Sequence, residues 1–299
     1  MTRISYLGPA GTFTEQAVWA FGIADAEAVP VDSPAAALDA VRSGASEYAV
    51  AAIESSVDGT VTTTSDALVA APGVQIYAET ELDIAFAIMT RPGEPLGAAR
   101  RLASHPVAYQ QVKGWVAEHI PGVEFLPAPS NGAGARMVAD GEADVAAAPR
   151  RAAELLGLKV HADGVADLET ARTRFLLAGR PGAPAARTGN DRTSIVVQMP
   201  NEPGTLVAVL QEFASRGVDL SRIESRPTRK VRNTYDFHVD IVGHIDDEPV
   251  AEALRAVYLR ASKIVYLGSW PRASGAGTPV DQRRLDDARA WVERARKGQ

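Results

Sequence analysis

At 299 residues, with 46% hydrophobic and 23% charged residues, the chain fits one large or two to three smaller globular domains, which excludes disordered and fibrous classes. A net charge of −6 implies no basic face for nucleic acid or an anionic membrane, and the absence of cysteine excludes disulfides, thiolate zinc sites and a cysteine nucleophile. The opening residues read as a strand rather than a signal-peptide core, and no apolar run approaches membrane-spanning length, so the expectation is a soluble cytoplasmic protein.

Residues 4–7 predict a short strand ending in Gly8-Pro9-Ala10-Gly11-Thr12-Phe13-Thr14. Thr12 and Thr14 are good helix N-caps, and the following helix carries Phe13, Ala17, Ala20 and Phe21 at helical spacing. A strand, a glycine turn and a helix N-terminus suit an anion, and with neither a dinucleotide nor a Walker pattern a small carboxylate fits best. Strands over 28–31 and 48–53 alternate with a helix over 34–42, and the second strand ends in Glu54-Ser55-Ser56-Val57-Asp58-Gly59-Thr60. Polar groups at a strand's C-terminal end are where open α/β sheets bind ligands. An extended run over 75–89 crosses toward a second α/β set, with a strand at 102–104, a helix over 110–119, a helix capped by Asn131, a strand over 144–148 and a helix over 150–156. The pattern is α/β, two lobes like a periplasmic binding protein, with strand ends facing a cleft.

Glu169-Thr170-Ala171-Arg172-Thr173-Arg174-Phe175 then leads into a short apolar strand that stops at Gly179. Thr173 offers a compact donor, Arg174 a planar fork that matches a carboxylate, and Phe175 a dry wall; an ordinary polar strand entry is the competing reading. His105 before Pro106 is either a proton shuttle or a turn-ordering residue. The other histidines show no metal-ligand spacing, and no Gly-x-Ser-x-Gly elbow occurs.

Residues 179–190 are a Pro/Gly/Ala linker by composition. After them, strands over 192–199, 220–226, 235–242 and 264–268 with helices over 205–216 and 249–262 predict a βαββαβ, ferredoxin-like module. The tail reads as a charged helix over 280–297 with Leu285, Ala288 and Trp291 on one side.

Taken together these stretches resemble the prephenate dehydratase family with a C-terminal ACT regulatory domain. The motifs are Gly8-Pro9-x-Gly11-Thr12-Phe13, Ile53-Glu54-x-Ser56, Ser104-His105-Pro106 with Gln111, Thr173-Arg174-Phe175, Pro203-Gly204-Thr205-Leu206, Ile223-Glu224-Ser225-Arg226-Pro227 and Tyr266-Leu267-Gly268-Ser269-Trp270-Pro271. Where the family carries Asn between the Glu and Ser of the second motif, this chain has Ser55. The resemblance implies a catalytic domain over 1–180, a linker over 181–190, an ACT domain over 191–272 and a partly helical tail over 273–299. It implies conversion of prephenate to phenylpyruvate, carbon dioxide and water without redox or metal cofactor. Thr173 would assist the departing hydroxyl, Arg174 pair with a substrate carboxylate, and Phe175 line the ring. Thr12, Glu54, Ser55, Ser104 and Gln111 complete the implied site. L-Phenylalanine would bind where two ACT modules of a homodimer or homotetramer meet, at Gly204, Leu206, Glu224, Ser225, Arg226 and Pro227. A non-catalytic carboxylate binder, a pure amino-acid sensor, and arogenate in place of prephenate are the alternatives.

Overall fold

The computed structural model describes residues 1–168, 170–228, 234–274 and 282–298. Glu169, positions 275–281 and 299 of the tail, and the Leu285 side chain lie outside the described set. The chain divides into two compact units, Met1–Gly182 and Ala183–Gln299.

The first unit holds two lobes. In the first are β1 (Thr2–Leu7), α1 (Phe13–Ala20), β2 (Ala26–Val31), α2 (Pro34–Ser43), β3 (Tyr48–Ser55), β4 (Gly59–Thr60), α3 (Thr62–Ala70) and β5 (Gln75–Asp83). In the second are β6 (Phe86–Thr90), β7 (Arg101–Ser104), α4 (Pro106–Gln110), α5 (Lys113–His119), β8 (Glu124–Pro127), α6 (Asn131–Ala139), β9 (Val145–Ala148), α7 (Arg150–Leu156) and β10 (Lys159–Val165). β11 (Arg172–Gly179) returns to the first lobe, so that the sheets run β2-β1-β3-β11-β5 and β10-β6-β9-β7-β8.

β11 lies between β3 and β5 and is antiparallel to both. Its run from Phe175 to Gly179 is buried, as a strand flanked on both sides must be. Ile4, Tyr6, Val50, Phe175 and Leu177 pack with Ala17 and Val18 of α1 in one core, while Ile88, Leu102, Val112 and Val145 anchor another in the second lobe.

Several local expectations change. The run over 75–89 is two strands in different sheets, parted at Ile84 and Ala85. The helix over 110–119 is broken into α4 and α5, because Val112 leaves helical geometry at ψ 6°. α6 is capped by Ser130, whose Oγ accepts the Ala133 N–H at 3.1 Å, one residue before the expected Asn131. α3 was not expected at all: Thr62-Thr63-Thr64-Ser65 lacks the apolar repeat that marks a helix, and tertiary burial of Ala67 and Leu68 supplies what local preference does not. β8 and β10 likewise fall where no element is predicted.

The second unit is β12 (Asp191–Gln198), α8 (Thr205–Ala214), β13 (Leu220–Pro227), β14 (Tyr235–Val242), α9 (Glu248–Arg260) and β15 (Lys263–Pro271), followed by α10 (Gln282–Arg296). Its sheet runs β13-β14-β12-β15, with Ile195, Val197, Val239 and Ile241 packed on Val209, Phe213, Val250 and Val257 of the two helices. That is the ferredoxin-like order. Trp291 of α10 is 63% exposed, and Arg289 pairs with Glu248 at the start of α9.

Candidate active site

Between the lobes of the first unit lies a cleft of about 430 Å³. Thr12, Phe13, Ser55, Asp58, Thr62, Thr63, Thr173 and Phe175 line it from the first lobe. Phe86, His105, Gln111 and Asn131 line it from the second. Phe13 and Phe86 meet edge to face across it at 5.4 Å.

Strand alternation sorts the Thr-Arg-Phe run. Thr173 and Phe175 face the cleft, and among the described residues the Thr173 hydroxyl has no intramolecular partner. Arg174 faces the other way. Its Nε and Nη2 donate to Glu54 Oε2 at 3.2 and 2.8 Å, and its Nη1 donates to Glu79 Oε2 at 3.0 Å. The Glu79 side chain is fully buried, and Arg174 sits opposite Glu54 on β3, so this cluster ties β3, β11 and β5 together behind the cleft wall. The expected pairing of Arg174 with a substrate carboxylate therefore does not match its position: neither Arg174 nor Glu54 lines the cleft.

No lysine or arginine lines the cleft among the described residues, so an anion has to be held by dipoles and hydroxyls. The glycine turn is not free to do it. The Gly11 N–H donates to Glu15 Oε2 at 2.6 Å, and Thr12 Oγ1 caps α1 by accepting the Glu15 N–H. Burial, and then the Glu15 carboxylate, push the nearby Tyr6 hydroxyl up to about 12. Gly11 serves packing instead: at φ +88° it lies where a Cβ would meet Ala152 of α7 at 3.0 Å. α3 offers the opening that α1 lacks. Its N-cap Val61 supplies no side-chain acceptor, and Val61, Thr62 and Thr63 all line the cleft, so first-turn N–H groups and two hydroxyls stand together at the wall.

Ser104 is fully buried, and its Oγ donates to Ala147 O at 2.7 Å, so it braces β7 against β9 rather than touching the cleft. Asn131, released from the capping role, accepts the His105 backbone N–H at 3.3 Å and reaches the cleft. Gln111 sits at the break between α4 and α5, is 6% exposed, and leaves its Oε1 without a partner among the described residues. Ser55 Oγ accepts the Val57 and Asp58 N–H groups at 3.2 and 3.3 Å, closing the turn into β4. Sequence reasoning missed Asn131, Asp58, Thr62, Thr63 and Glu79 as contributors; Glu79 is one of three acids along β5, and only its burial in the fold singles it out.

In the second unit a smaller pocket of about 200 Å³ lies at the start of α8. Gly204 at φ +86° caps the helix without a side chain, and Leu206, Tyr235 and Phe237 line the pocket. On β13, Ser225 and Pro227 pair with Phe237 and Tyr235 and share their face. Glu224 and Arg226 turn to the other face, where Glu224 pairs with Arg222 at 3.2 Å and Arg226 at 3.5 Å.

A family model for prephenate dehydratase matches residues 4–183, and one for the ACT domain matches 193–257. This chain belongs to the prephenate dehydratase family. The prephenate dehydratase of Corynebacterium glutamicum is 56% identical over 99% of this chain and 97% of its own, and that of Mycobacterium tuberculosis is 51% identical over 100% and 95%. A solved prephenate dehydratase from Arthrobacter aurescens, in complex with L-Phe, aligns at a TM-score of 0.91 and 38% identity, covering 99% of this chain and 100% of that one. Prephenate dehydratase activity, a hydro-lyase reaction, and an ACT domain C-terminal in sequence to the catalytic domain are thus family properties of this chain. No described helix is long and apolar enough to cross a membrane, and no described group of His, Asp and Glu could hold a metal.

Proposed function

We propose that the cleft converts prephenate to phenylpyruvate, carbon dioxide and water in the cytoplasm, and that L-phenylalanine regulates it through the ACT module. The ring carboxylate leaves as CO2, its bonding pair enters the ring, and the C4 hydroxyl departs. Aromatisation drives the reaction, so the protein's work is to hold the substrate and ease loss of a poor leaving group. The Thr173 hydroxyl, unpartnered among the described residues on a rigid central strand, carries this reading: it is the donor for the departing oxygen. Phe13, Phe86 and Phe175 keep the ring carboxylate in dry surroundings, which favours losing its charge. The open start of α3, with Thr62 and Thr63, receives the pyruvyl carboxylate in place of Arg174. Gln111 Oε1 accepts from the substrate hydroxyl.

The test is phenylpyruvate absorbance with Thr173→Val, which keeps the volume and removes the hydroxyl. Turnover should fall about 100-fold. Unchanged turnover in a folded variant removes Thr173 from the chemistry.

In this reading residues 1–180 catalyse, 181–190 link, 191–272 sense, and 273–299 form an appendage. β13 ends the ACT sheet with Ile223 46% exposed, and a second copy is the remedy for such an edge, making a homodimer or a dimer of dimers. Phenylalanine would set its carboxylate on the first N–H groups of α8 beside Gly204 and its ring against Leu206, with Ser225 and Pro227 on the neighbouring face.

A further inference from the structure

The reaction consumes a proton. When the bond between ring and carboxylate breaks, CO2 leaves and the pair passes into the ring; the C4–O bond then breaks, and the departing hydroxide becomes water only by gaining H⁺. A threonine hydroxyl can pass a proton on, but it is too weak an acid to be the source near neutral pH. Among the described side chains that line the cleft, two carry acid–base groups, the Asp58 carboxyl and the His105 imidazole. They belong to opposite lobes, Asp58 in the turn from β3 to β4 and His105 between β7 and α4.

Both are held in place. Ser55, at the position where the family carries Asn, spends its Oγ on the amides of Val57 and Asp58 and so shapes the turn that presents the carboxylate. His105 is fixed through its backbone N–H to Asn131 Oδ1, and its Nδ1 accepts the Val107 N–H at 3.3 Å. In the neutral ring the proton is therefore on Nε2.

We propose that His105 is the proton source for the leaving hydroxyl, supplying it through the Thr173 hydroxyl, with Asp58 stabilising the imidazolium from the facing lobe. This rests on the prephenate reading above. Charging the ring puts a proton on Nδ1 and releases the Val107 N–H from it. In the step, the imidazolium gives its Nε2 proton to Thr173 Oγ1 as Thr173 gives its own to the departing oxygen, leaving the imidazole protonated on Nδ1. Water and CO2 leave, the ring keeps the electron pair, and neutral His105 regains a proton from solvent. Burial lowers the affinity of His105 for a proton and Asp58 raises it, the net shift being downward from 6.5. No other charged side chain lines the cleft among the described residues.

The experiment is the pH dependence of prephenate turnover by the full chain, its His105→Gln variant and its Asp58→Asn variant. The wild-type kcat/KM, which reports the free enzyme, should decline on the alkaline side with a midpoint below 6.5. His105→Gln should lose that limb and about 100-fold in kcat, with KM within about three-fold, whereas a purely turn-ordering role would move KM and stability and leave the limb in place. Asp58→Asn should move the midpoint to lower pH, because the carboxylate no longer favours the charged ring. A His105→Gln protein that keeps the limb, or keeps kcat within about three-fold, overturns the proposal. If that variant does not fold, an unmoved midpoint in Asp58→Asn does so instead. A wild-type chain that does not turn over prephenate at all would fail the substrate reading itself, a result visible before any variant is made.

Discussion

Thr173 and Arg174 are adjacent in the chain and do opposite jobs. One faces the cleft, and the other locks the strand from behind by bridging Glu54 and Glu79. Removing the guanidinium leaves a fully buried carboxylate without its cation, the costly way to break an ion pair. Arg174→Met should therefore lower unfolding free energy by about 3 kcal/mol in urea titrations, and kcat should fall as Thr173 shifts, with KM changed by less than about three-fold. A ten-fold or larger rise in KM at unchanged stability would return Arg174 to substrate binding. Glu79→Gln should reproduce a part of the stability loss, since an amide can still accept one bond from Arg174.

At the scale of the element, β14 carries a second buried titratable group. His238 is 1% exposed, and among the described residues neither ring nitrogen has a hydrogen-bond partner. Burial, reinforced by Arg222, pushes its pKa down from 6.5 to about 4, against the opposing pull of Glu224 and Asp240. The unfolded chain takes up this proton near 6.5 and the folded one near 4. Between those values the unfolded state holds more protons, so stability is full above the upper value and drains away as pH falls toward the lower one. The wild type should lose about 2 kcal/mol more than His238→Leu on going from about pH 7 to about pH 4.5, read from urea midpoints of the ACT transition. Equal slopes for the two proteins would show that His238 does not titrate differently on folding.

For the whole molecule, the proposed regulation is a coupling between phenylalanine binding at the ACT domain and substrate binding at the catalytic domain. If phenylalanine inhibits by lowering substrate affinity, linkage requires a substrate analogue to weaken phenylalanine binding by the same factor, about 1–3 kcal/mol. Calorimetric titration of phenylalanine with and without the analogue reads this directly. Identical affinities in the two titrations would mean that the effect, if any, is on kcat. Light scattering of the same samples should give a dimer or tetramer, and a monomer would leave the β13 edge without its expected cover.

The sequence by itself determined the class, the two α/β lobes, the ferredoxin-like order and the motif positions, because strand and helix periodicities and glycine punctuation are local. β14 and α7 fall at the residues their patterns predict, and Thr173 and Phe175 stand at the cleft as their strand-mouth position suggested. What faces what was left to the tertiary structure. Arg174 looked like an anion receptor until Glu54 and Glu79 were brought to it from 120 and 95 residues away. Gly11 looked like an open amide until Glu15 folded back onto it. α3, whose uncapped start is the better anion site, had no local pattern and exists through burial against the first lobe. A donor's chemistry is written in its residue type; whether it is spent on the fold or left for a ligand depends on which carboxylate or carbonyl the fold brings within reach of it.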